Sequence, residues 1–79
     1  MIYYVALPFV HVDGGLAPAE PVECPYEAAA VRRAEAMASS EANAGAVAFS
    51  RHGCPESGKY DDAVILKTFG EVPDDFDIA

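Results

Sequence analysis

Apolar residues crowd the start of the chain at both parities. Ile2, Tyr4, Ala6 and Val10 fall on one side of an extended backbone, and Tyr3, Val5, Leu7 and Phe9 on the other. Residues 1–12 are aromatic and β-branched, and the double pattern predicts a strand buried on two faces. Proline has no N–H for a ladder, so Pro8 predicts a bulge or an unpaired edge at that point. Asp13-Gly14-Gly15 predicts a turn. Residues 16–21, with two prolines, read as an irregular connection, and Val22-Glu23-Cys24 as a candidate, very short edge strand.

The pattern then changes period. Residues 26–40 hold no Gly and no Pro and are rich in alanine, which predicts a helix. Pro25 suits a first helical position and Glu27 suits the positive end of the dipole. Asn43 and Gly45 supply the stop. Val31, Ala34, Met37 and Ala38, with Ala30 and Tyr26, form the expected buried stripe, leaving Arg32, Arg33, Glu35 and Ser39 to water.

Residues 46–52 alternate Val47, Phe49 and Arg51 against small side chains, as a strand does. Residues 53–58 are a turn-forming loop, and residues 60–69 return as another strand until Gly70 and Pro73 end it. Six loop residues are too few for a crossover, so these two strands form an antiparallel hairpin. The expectation is an α+β fold in the order β-α-β-β. It has a three-stranded, mixed or antiparallel sheet (four-stranded if residues 22–24 join) and one helix on one face. Alternating directions would set the strand after the helix parallel to the first, and the fully apolar run Ala63-Val-Ile-Leu66 favours the last strand for the middle of the sheet.

Composition sharpens this picture. Fifteen of the 79 residues are alanine, so large apolar side chains are few and the core is thin. One small-residue helix covers one face only, while Ile65 and Phe69 lie on one side of the last strand and Val64 and Leu66 on the other. The bare face, a patch larger than monomers commonly carry, predicts a homodimer with Ile65, Phe69, Tyr3 and Phe9 at the interface.

Charge excludes other classes. Thirteen acids against five bases give −8, which disfavours nucleic acid and anionic membranes as partners. Half of that net charge lies in residues 71–79, read as an acidic tail behind a single domain of residues 1–70. The apolar run at residues 2–10 is too short to span a bilayer and no Lys or Arg precedes it, so the expected location is cytoplasmic.

Candidate chemistry gathers, under the parallel-strand expectation, at one end of the sheet. His11 would follow the first strand, Cys24 precedes the helix, and His52 and Cys54 follow the second strand. Two thiols and two imidazoles are a zinc ligand set, but the spacings are wrong for one, and no metal or cofactor is expected. A thiol at a helix N-terminus is favoured as thiolate, although Glu23 and Glu27 oppose this. Arg51, His52 and Lys59 make a basic group at the hairpin that could hold a carboxylate or phosphate.

The stretch Gly45-Ala-Val-Ala-Phe-Ser-Arg51, the turn through Gly58, and Ala63-Val-Ile-Leu-Lys-Thr-Phe-Gly-Glu-Val-Pro73, behind an alanine-rich helix, resemble a type of small uncharacterised bacterial protein. The resemblance spans residues 26–73 and implies no activity, so it transfers no functional residue. The residues alone leave function unassigned between two readings. The first is a non-catalytic, self-associating interaction or binding module with an unidentified protein partner. The alternative is a small-molecule, thiol or metal site formed by His11, Cys24, His52 and Cys54.

Overall fold

The computed structural model describes residues 1–54, 56–60 and 63–73, with the side chains of Cys54, Lys59 and Tyr60 outside the description. Within these residues one helix packs on an antiparallel sheet, an α+β fold. The elements are β1 (Ile2–Val12), β2 (Gly15–Pro18), β3 (Val22–Cys24), α1 (Glu27–Ser39), β4 (Gly45–Cys54), β5 (Lys59–Tyr60) and β6 (Val64–Gly70).

Asp13 and Gly14, with Gly14 at φ 87°, turn the chain between Val12 and its partner Gly15. The stretch expected to be irregular is instead β2, which runs back along β1, and β3 continues the same lane. Phe9 pairs with Pro18 and Ala6 with Val22, so three residues (19–21) face only two (Leu7 and Pro8). Pro8 sits at this break. Its carbonyl accepts the Ala19 N–H at 2.8 Å, and in an antiparallel strand a residue's N–H and C=O point to the same side. The missing donor therefore faces the gap between β2 and β3, and the ladder from β1 to β4 runs through Pro8↔Ala46 unbroken.

Counting this return lane reverses the expected parity. The helix starts beside Cys24, opposite Tyr4, and the chain re-enters the sheet at Gly45, opposite Phe9. β4 must then run antiparallel to β1, with Ile2 against His52. The expected parallel direction is thus corrected. So is the strand order: β4 lies between β1 and β6, while β6 is an outer strand. The residues explain the placement. Gly45, Ala46, Val47, Ala48 and Phe49 are all buried, whereas Val64 and Ile65 of β6 are exposed.

The two faces of the sheet carry different cores. On the helix side, Ala6, Ala46 and Ala48 meet Ala30 and Ala34 of α1, all fully buried. Val31, Met37, Ala38, Leu66 and Phe69 pack around them, as the stripe read from the sequence requires, but Tyr26 is exposed. Pro25 lies one residue before the N-cap, Tyr26. At the other end the Ser40 N–H bonds the Met37 carbonyl at 3.2 Å, and Asn43 Nδ2 donates to the same oxygen at 3.0 Å.

Away from the helix, Leu7, Phe9, Val47 and Phe49 form a second buried cluster, with Val5, Ala63 and Val72 packed against it. This corrects the expectation of a bare face. Phe9 is 1% exposed and Val47 0%, so Phe9 belongs to the core and Phe69, half-buried, to the helix-side cluster. The body of the fold continues past residue 70. Gly70 turns at φ 67°, Glu71 donates its N–H to the Ala44 carbonyl at 3.1 Å, and Val72 enters the second cluster. Residues 74–79 of the expected acidic tail lie outside the described residues.

Candidate functional site

The antiparallel arrangement divides the six candidate binding residues between two ends of the sheet. His11 is nine positions along β1 from Ile2, the partner of His52, which separates the imidazoles by roughly 30 Å. The convergence of His11, Cys24, His52 and Cys54 at one end therefore does not form. His11 pairs instead with Glu71, Nε2 to Oε2 at 2.9 Å, both side chains being 67% exposed.

Cys24, Arg51, His52, Cys54 and Lys59 do share one end, because β3, the second half of β4 and β5 all lie beside the beginning of β1. They do not form one cluster. Arg51 and His52 are consecutive on an extended strand and point to opposite faces. Cys24 and His52 lie on the helix-side face, but two strand lanes and two residue rows separate them, roughly 12 Å between backbones. Cys24 is half-buried, with Sγ directed at the Val22 carbonyl at 3.7 Å. Among the described residues no group of three His, Cys, Asp or Glu side chains could hold a metal ion. The side chains of Cys54 and Lys59 lie outside the description.

The same end carries most of the exposed apolar surface. Ile2 is 42% exposed, Val64 58% and Ile65 46%, and Tyr26 stands exposed beside the first turn of α1. Val64 pairs with Ser50, two residues from the partner of Ile2, so Ile2 and Val64 occupy one corner of the helix-side face. Ile65, opposite Phe49, turns that corner onto the reverse face. Tyr3, expected at an interface, is half-buried opposite Arg51 on that reverse face.

A groove lies at this end. It is a shallow space of about 490 Å³ between β3 and the flank of α1, lined by Val22, Glu23, Cys24, Pro25 and Ala29 and edged by Arg32 and Arg33. In the sequence these arginines belong only to the water-facing side of the helix. The signal that marks them is positional: two adjacent arginines eight residues after a three-residue edge strand in a chain with only five Lys and Arg residues. Compared with family models, with curated proteins and with solved structures, the chain matches none. No helix among the described residues is long and apolar enough to cross a membrane.

Proposed function

We propose that this chain is a non-catalytic interaction module that self-associates through the apolar end of its sheet, with Ile2, Val64 and Ile65 at the contact. The observation that carries this reading is the concentration of exposed Ile2, Tyr26, Val64 and Ile65 at one end, whereas at the other end Val12 is exposed and Phe9 and Val47 are packed. The thinness of the core supports a second copy as the occupant. Among the described residues five of the nine buried apolar side chains are alanine, and a domain of this size gains stability when association buries more apolar area. The bases at this end, Arg51 and Lys59, stand beside Glu56, Asp61 and Asp62 in sequence, so a two-fold contact can set each sign against the other. The thiol and metal alternative has no comparable support, because His11 lies at the opposite end.

Light scattering over a concentration series tests this. The wild-type chain is expected to show dimer mass in the micromolar range, and Val64→Lys with Ile65→Lys to show monomer mass with unchanged circular dichroism. Monomer mass for the wild type up to about 0.2 mM overturns the reading. So does a dimer that the double variant leaves intact.

A further inference from the structure

We infer that the groove between β3 and α1 is a docking site for an extended acidic segment of a different protein. Three features of the groove point there. Its floor is small and apolar, with Val22, Cys24, Pro25, Ala29 and Ala36, so a backbone can approach closely. Its strand side is an open edge: β3 pairs with β1, and no other described strand pairs with it. A free edge of this kind presents main-chain donors and acceptors to an added strand. Its helix side carries two guanidiniums. Arg32 is held by one hydrogen bond, Nη2 to the Tyr26 hydroxyl at 3.1 Å, while Arg33 makes no ion pair or hydrogen bond with the described residues.

Charge selects the occupant. Glu23 also lines the groove, so its walls carry two guanidiniums against one carboxylate and keep a positive excess. A strand laid along β3 points alternate side chains toward the helix flank. Carboxylates at those positions accept hydrogen bonds from guanidiniums, whose fork geometry can donate two to one carboxylate. A basic or neutral segment gains the main-chain bonds but not these. The groove is separate from the contact at Val64 and Ile65, since β3 and β6 lie on opposite margins of the sheet.

The test uses the full chain and a fluorescent peptide that alternates valine with aspartate. Two control peptides carry lysine in place of aspartate, or proline at the centre. Saturable binding of the acidic peptide is expected, weakened roughly tenfold by Arg32→Ala with Arg33→Ala and weakened by added salt. The lysine peptide and the proline peptide are expected to bind at least roughly tenfold more weakly, the former because it lacks the carboxylates and the latter because proline cannot extend a ladder. Absence of saturable binding at low salt overturns the proposal, as does equal binding of either control. If the arginine variant instead dissociates a wild-type dimer seen by light scattering, the groove belongs to a second copy, and the proposal of a different partner falls.

Discussion

Gly45 shows how closely two backbones can be required to approach. A Cβ there would overlap the main chain of Glu71 and lie 2.5 Å from the Phe69 carbonyl oxygen. At Gly70 the constraint is doubled, since φ is 67° and a Cβ would sit 2.7 Å from the Ala44 carbonyl. Neither obstacle is the end of a flexible side chain. Gly45→Ala is therefore expected to cost about 2–4 kcal/mol, lowering Tm by roughly 10 °C or more, measured by thermal melting. A melt within a degree or two of the wild type would show that the 44–45 and 69–71 backbones separate freely. The contact of His11 with Glu71, close by but open to solvent, adds far less to this junction. In the sequence Gly45 reads as a helix stop. Its tighter role depends on a strand contact twenty-five residues away, which no local pattern contains.

At the scale of elements, the helix, the 45–54 strand and the hairpin through Gly58 were legible because each depends on local chemistry. Alanine without glycine or proline makes α1, Gly58 at φ 72° turns the hairpin, and Asn43 closes the helix. Asn43→Ala removes the amide that reaches the Met37 carbonyl, and is expected to cost about 1 kcal/mol with some loss of helical ellipticity. An unchanged urea midpoint would show that the Ser40 N–H is cap enough. Strand direction was not legible, for a specific reason. Leu16, Ala17 and Pro18 carry weak strand chemistry, so β2 reads as connection in the sequence, and one uncounted return lane inverts the direction of every later strand. The same inversion is why the sequence groups His11 with His52. Ala63-Val-Ile-Leu66 misled in another way. Its apolar run looks central, but β6 is an outer strand paired with β4 alone among the described strands, and Val64 and Ile65 lie exposed at its start.

Across the molecule, stability is concentrated in the middle of the sheet. β1 and β4 are each flanked on both sides, whereas each margin is built of two short pieces, β2 with β3 and β5 with β6. Native-state hydrogen exchange on dilute protein is expected to leave amides of β1 and β4 the slowest, with β3 and β6 exchanging through smaller openings. Equal protection of β6 and β4 would contradict this ranking. The same gradient places both proposed contacts, at Val64 and at the groove beside β3, on the parts of the sheet that open most easily.

The alanine seam between α1 and the sheet has a consequence for how this chain tolerates change. Ala6, Ala30, Ala34, Ala46 and Ala48 bring two backbones together with one methyl group from each side. Nothing in that layer can swing aside to admit a larger neighbour, because a methyl has no alternative rotamer. Bulk added at any of the five positions acts as a wedge that lifts α1 as a rigid rod. Bulk added to the outward flank of α1, a few ångströms away, meets only water.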